Sequence, residues 1–189
     1  DAAFANLANR VAAGNELRAN LARLAARGIQ TMYVAVDVRD AAAVTAAVDR
    51  VRSRWGPISG IVHGAGILAD KRIADLTDTQ FTDVYETKVK GFQSLLEATR
   101  ADPVRLIAIF SSIAARTGNA GQAAYAAAND VLNKIAQHEA RARGPSTTVR
   151  SYNWGPWDGG MVEPALKAHF QRQGVSLIGE ADGAEFFAS

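Results

Sequence analysis

Tyr125 and Asn129 stand four residues apart in the run Tyr-Ala-Ala-Ala-Asn, a spacing that puts a phenol and an amide on one helix face. Ser112 lies 13 residues before Tyr125, at the end of the apolar run Leu-Ile-Ala-Ile-Phe-Ser, and Lys88 lies 24 residues before Ser112. For the reduction of a carbonyl the set has a plain logic. A Tyr hydroxyl protonates the developing alkoxide, a Ser hydroxyl holds the same oxygen, and a nearby ammonium lowers the Tyr pKa. Asn129 is placed to tie the Lys and a water into one network. Taken singly, each residue also has an ordinary reading: Tyr125 as half-buried packing, Ser112 as a turn residue, Lys88 as a solvated helix charge.

The elements that must carry these groups alternate along the chain. Apolar residues at helical spacing flank Gly14-Asn15 and predict two short helices or one broken one, ended by Gly28. The β-branched and aromatic run TMYVAV predicts a strand over 31–36 with Asp37 at its carboxyl end. Asp40 is a cap for a helix that Gly56-Pro57 ends, and ISGIVH is a strand running into the turn His63-Gly64-Ala65-Gly66. Thr77-Asp78-Thr79-Gln80 is a capping box opening the helix that bears Lys88. LIAIFS is apolar almost throughout, as in a strand covered on both faces. An Ala-rich helix over about 122–143, the strand TTVRSYNW, Gly155-Pro156 and an amphipathic helix over 162–173 follow. Alternating strands and helices predict an α/β doubly wound parallel sheet, Rossmann-like, in which ligands bind at the strands' carboxyl ends. Asp37, the HGAG turn, Ser111-Ser112 and the stretch 153–156 all fall there. A strand and G-x-G-x-x-G turn that would normally begin such a fold have no counterpart in the sequence. The expected organisation is therefore one domain truncated at both ends: a helical lead-in over 1–28, a core over 29–160 and a lid helix over 161–175.

Composition narrows the function classes. With 189 residues, 48% hydrophobic and 21% charged, the chain is an ordinary globular one. A net charge of +2 from scattered residues does not indicate a nucleic-acid surface. The lack of Cys excludes disulfides and thiolate metal sites, and the separated His63, His138 and His169 make no metal site. No apolar run has membrane-span length, and a cytoplasmic location is expected.

VHGAGIL, KVKG, FSSIA, GQAAYAAAN and NWGPWDGGMV, in that order, resemble the ketoreductase domain of type I polyketide and polyunsaturated fatty acid synthases, a branch of the short-chain dehydrogenase/reductase family. The resemblance covers about residues 30 to 162. Members of the wider family use Tyr-x-x-x-Lys; in the synthase branch Lys and Asn trade places, which Lys88 and Asn129 match. The resemblance implies Tyr125 as general acid, Ser112 as carbonyl orienter, Lys88 as perturber of Tyr125 and Asn129 as support of the relay. It implies NADPH as cofactor, with Asp37-Val38 at the adenine, Gly64, Ala65 and Gly66 against the dinucleotide backbone, Lys88 and Tyr125 also contacting the cofactor, and Gly155-Pro156 beside the nicotinamide. Asp70, Gln122, Trp157 and Met161 are implied in substrate binding and stereocontrol. Leu68-Ala69-Asp70 is similar to the Leu-Asp-Asp fingerprint of ketoreductases giving the D-hydroxyl, with Ala at the middle position. Thr117 stands where the opposite class carries Trp. The implied substrate is a β-ketoacyl chain on the phosphopantetheine of an acyl carrier protein, and the other implied partners are domains of a parent synthase. Two other functions fit parts of the pattern: a non-catalytic reductase-like scaffold domain, and a free-standing short-chain alcohol or sugar dehydrogenase.

Overall fold

A computed structural model describes residues 2–159, 167, 170, 172 and 174–189, with the side chains of residues 2–6 and 9 left aside. The chain divides into two compact units, residues 1–35 and 36–189.

In the first unit a single helix, α1 (Ala2–Ala26), runs through Gly14-Asn15 without a break. A mid-helix Gly costs about 1 kcal/mol relative to Ala, too little to interrupt a helix of this length. Gly28, with φ 72°, follows the helix in the left-handed region that a side chain resists. The stretch 31–36, expected as a strand, forms no ladder. β-branched residues favour a pleat only when a neighbouring strand takes up the backbone groups, and among the described residues no strand pairs with it.

The second unit holds a three-stranded parallel sheet in the order β1-β2-β3: Gly60–His63, Leu106–Ser112 and Thr148–Trp154. The register pairs His63 with Ile109 and Ser112 with Trp154, so all three strands end at one edge. Helix α2 (Ala41–Trp55) starts on the Asp40 cap, whose carboxylate accepts from Ala43 N at 3.0 Å, and ends at Gly56. The expected capping box opens α3 (Asp78–Ala98): Gln80 N donates to Thr77 Oγ1 and Thr77 N to Gln80 Oε1, both at 3.2 Å. A short α4 (Ala114–Thr117) follows β2, and α5 (Ala123–Arg143) leads through a 3-10 turn to β3.

Alternation along β2 sends Ile107 and Ile109 to one face, where they close a core with Ile61, Phe92, Val104, Leu132 and Ala136 from β1, α3, α5 and the loop before β2. The opposite face carries an aromatic cluster. Phe110, Tyr152 and Trp154 of the sheet meet Phe186 or Phe187 of a last helix, α6 (Glu180–Ala188), at centroid distances of 5.3–6.2 Å. No helix was expected there from the sequence. The lid helix expected over 161–175 lies for the most part outside the described residues. No described helix is long and apolar enough to cross a membrane.

Candidate active site

The parallel sheet delivers three chain turns to its carboxyl edge, and the helices beside it add three side chains. From β2 come Ser111 and Ser112, which point to opposite faces. Ser111 Oγ donates to Asn129 O at 3.2 Å, into the α5 side. Ser112 Oγ accepts from Ala114 N at 3.2 Å, which holds the hydroxyl at the strand end.

Tyr125 lies in the first turn of α5, half-buried. Burial pushes its hydroxyl above the ordinary phenol value, the side chains of Ser112 and Asn129 beside it pull it back, and the Asp70 carboxylate adds a smaller upward push. Asn129, one turn on and fully buried, donates from Nδ2 to Tyr125 O at 2.8 Å. Its Oδ1 is buried with no hydrogen-bond partner among the described residues, an acceptor held ready in a place where an unused one is costly.

Lys88 comes from the middle of α3 and is 3% exposed. Its Nζ donates to Phe110 O at 3.2 Å and lies 5.3 Å from the centroid of the Tyr125 ring. Among the described residues it has no carboxylate partner, and burial pulls its pKa down to about 8. The sequence logic has this ammonium lowering the phenol. In the structure the Lys bonds a carbonyl and faces the ring rather than the hydroxyl, and burial dominates at Tyr125. Lys88, Ser112, Tyr125 and Asn129 are thus brought together, although they come from α3, β2 and α5.

The remaining residues are distributed around this centre. Asp37, before α2, is gripped by Arg39: its Oδ1 accepts from Arg39 N at 2.9 Å and its Oδ2 from Nη2 at 2.8 Å, while Arg39 Nη1 reaches Asp83 of α3 at 2.8 Å. These bonds draw the Asp37 pKa to about 2, so the carboxylate stays ionised. Val38 sits against Gly91 of α3, where an added Cβ would lie 2.7 Å from Val38 Cγ2. Gly64, Ala65 and Gly66 leave the end of β1 as an open turn with no large side chain. Asp70 Oδ2 accepts from Gln122 Nε2 at 2.7 Å, and Lys71 N donates to Gly121 O at 2.8 Å. The loop after the HGAG turn is thereby clasped to the start of the Tyr125 helix. Gly121, at φ 83°, takes a left-handed backbone conformation that a side chain resists, which favours Gly there.

Gly155 and Pro156 follow β3, with Pro156 O accepting from Ile178 N at 2.8 Å. Trp157 packs edge-on to Trp154 at 4.9 Å, and Gly183 of α6 lies so close that a Cβ there would meet the Trp157 ring at 2.1 Å. Met161 lies outside the described residues. Arg39 and Gly91 were not singled out from the sequence. A guanidinium two residues after Asp37 was a readable signal for the first, whereas the Val38 approach to the second was not.

His63 adds a pH dependence. It is 1% exposed, and burial, the largest cause, pulls its pKa down to about 4 despite the Lys88 carbonyl beside it. The folded pKa is below the unfolded one, so the unfolded chain binds more protons in the window between about 6.5 and about 4. His63 therefore contributes stability that is intact above pH 6.5 and is lost as pH falls through the window, on the order of 3 kcal/mol at the acid end. Chemical denaturation at stepped pH is expected to show that slope in the wild type and not in His63→Phe; parallel curves would contradict it.

A parallel sheet with Ser, Tyr, Lys and Asn side chains at its carboxyl edge has the Rossmann-like architecture of the short-chain dehydrogenase/reductase class. More narrowly, residues 3–159 match the model of the KR domain family, and the chain belongs to that ketoreductase family. It is 38% identical over 98% of its length to a polyunsaturated fatty acid synthase polypeptide of Thraustochytrium sp., spanning 6% of that protein. Among solved structures, a ketoreductase domain from the bacillaene assembly line superposes with TM-score 0.81 at 31% identity, over 90% of this chain and 42% of that one. A short-chain dehydrogenase from Burkholderia cenocepacia in complex with NADP superposes with TM-score 0.79 at 27% identity, over 90% and 73%. The chain thus spans only a small part of the synthase it matches in sequence.

Proposed function

We propose that this chain carries the catalytic site of a ketoreductase that uses NADPH to reduce the β-keto group of an acyl thioester held on an acyl carrier protein. The observation that supports this best is the Ser112–Tyr125 hydroxyl pair with, 5.3 Å from the Tyr125 ring centroid, a buried Lys88 ammonium that has no acid partner among the described residues. A purely structural domain gains nothing from desolvating a cation there, and the desolvation costs stability.

The residues fit a nicotinamide dinucleotide. Asn129 Oδ1 is an unspent buried acceptor, Lys88 has donors beyond its one bond to Phe110 O, Asp37 is ionised, and the HGAG turn leaves room for backbone approach. In this reading Asp37-Val38 meets the adenine, Gly64, Ala65 and Gly66 the dinucleotide backbone, Lys88 a ribose diol, and Gly155-Pro156 the nicotinamide side. When bound, the reduced nicotinamide supplies the hydride. Ser112 Oγ–H donates to the substrate carbonyl oxygen and orients it. Tyr125 donates its phenolic proton to that oxygen as negative charge develops, and Lys88 stabilises the tyrosinate left behind. Asn129 keeps the first turns of α5 in register and offers Oδ1 to a water that returns the proton. The other domains of a parent synthase are the remaining partners, in a cytoplasmic setting.

The product is the D-3-hydroxyacyl thioester in this proposal. Asp70, Gln122 and Gly121 form the clasp beside Tyr125, and Thr117 leaves that side without an indole. In this reading Trp157 meets the acyl chain, and Met161, outside the described residues, is assigned to it by the resemblance alone. Asp70→Ala breaks the bond to Gln122 and frees the loop to admit the chain from either side. It is expected to erode stereoselectivity several-fold while changing kcat by less than about 3-fold, because no proton or hydride passes through it. Chiral chromatography of the product from a diketide thioester reads the outcome. A dominant L-alcohol from the unmutated domain, or unchanged selectivity in the variant, removes the stereochemical assignment.

A further inference from the structure

His63 is a buried titratable side chain that the reaction above leaves without a task. Its ring stacks on Phe92 of α3 at 5.2 Å, and its Nε2 lies 2.8 Å from the carbonyl oxygen of Lys88. A carbonyl can only accept, so Nε2 carries the hydrogen and donates it. The bond joins the carboxyl end of β1 to the middle of α3, at the residue whose side chain reaches Phe110 O and the Tyr125 ring. Gly91 permits the close seat on Val38, where a Cβ would lie 2.7 Å from Val38 Cγ2, and lies beside the His63 ring. The turn of α3 bearing Lys88 is therefore fixed by a hydrogen bond from His63, a ring stack at Phe92 and a close seat on Val38.

A lysine side chain has four rotatable carbons, so the position of its ammonium is only as well defined as the backbone from which it departs. A Phe at position 63 would supply the stack and the volume; an imidazole adds a donor aimed at one backbone atom, that of Lys88. We propose that His63 is a positioning residue for Lys88, its Nε2–H bond to the Lys88 carbonyl fixing that turn of α3 so that the ammonium stays beneath the Tyr125 ring. The proposal rests on the assignment of Lys88 to the reaction.

The test uses the full polypeptide carrying this domain, NADPH and a 3-oxoacyl thioester. His63→Phe keeps the ring and loses the donor; it is expected to lower kcat about 10-fold with KM for the thioester unchanged. His63→Gln, whose amide can donate across a similar reach, is expected to recover kcat to within about 3-fold of wild type. In a Lys88→Met background, adding His63→Phe is expected to cost nothing further, because the group being positioned is gone. Equal fold-losses in both backgrounds, or no recovery with Gln in a folded protein, overturn the inference. Should His63→Phe fail to fold, His63→Met, also without a donor, carries the same comparison. Wild-type turnover in Lys88→Met alone overturns the underlying assignment and this inference with it, so the two failures are distinguishable.

Discussion

Tyr125→Phe is expected to abolish carbonyl reduction while leaving fold and cofactor affinity nearly intact. The substitution removes one oxygen. The ring that faces Lys88 at 5.3 Å and the backbone carbonyl that accepts from Asn129 both remain, so neither α5 nor the site's outline loses a support. What disappears is the proton for the alkoxide. General acid catalysis by a positioned group is worth about 10²–10⁴-fold, and a hydroxyl whose acidity is already weakened by burial has no stand-in at that point. Turnover with NADPH and a diketide thioester is the readout, with nicotinamide fluorescence reporting binding separately. Turnover near that of wild type in the Phe variant would end the assignment.

Lys88→Met is expected to cost about 10²–10³-fold in kcat/KM, the range for removing one preorganised electrostatic stabiliser. Its signature is in the pH profile. Burial holds the Lys88 pKa near 8, below the ordinary lysine value of 10.5, whereas burial moves Tyr125 upward. The ammonium is present below pH 8, so wild-type kcat/KM measured for the free enzyme is expected to fall as pH rises through about 8. The Met variant loses that limb. Stability moves the other way: the unfolded chain binds more protons between about 8 and 10.5, so the wild type gains stability as pH rises across that window and Lys88→Met does not. An alkaline limb that persists at pH 8 in Lys88→Met would assign it to another group.

Legibility followed the range of the forces concerned. The Thr77–Gln80 capping box, the Asp40 cap and the Gly56 stop are local chemistry and were readable from their own few residues. β2 was readable because a strand covered on both faces is apolar at nearly every position. The stretch 31–36 shows the opposite case: its side chains favour a strand, but a ladder needs a neighbour that its own composition does not specify. Gly14 was over-read, since one glycine is a small term against the many hydrogen bonds of α1. The α6 helix carries Gly183 in its middle, which obscures its periodicity in the sequence; Gly183 is there because the Trp157 ring occupies the space of a side chain.

At the site, residue types and spacing pointed to Lys88, Ser112, Tyr125 and Asn129 as one set, and the resemblance gave that set its joint role. The clasp between Asp70 and Gln122, 52 residues apart, and the grip of Arg39 on Asp37 and Asp83 depend on loop paths that no local pattern encodes. His63 was visible as part of a small-residue turn and as one of three separated histidines. Its bond to the Lys88 backbone has no signature in side-chain type, because the acceptor is a carbonyl that every residue possesses.

The most direct test of the central claim is to supply the polypeptide carrying this domain with NADPH and a 3-oxoacyl chain on acyl carrier protein, following loss of reduced nicotinamide absorbance and the mass of the acyl chain. Nicotinamide oxidation is expected to be matched one for one by conversion of the 3-oxoacyl to the 3-hydroxyacyl chain, and Tyr125→Phe is expected to stop both. A folded protein that binds NADPH yet leaves the 3-oxoacyl chain unchanged would contradict that claim.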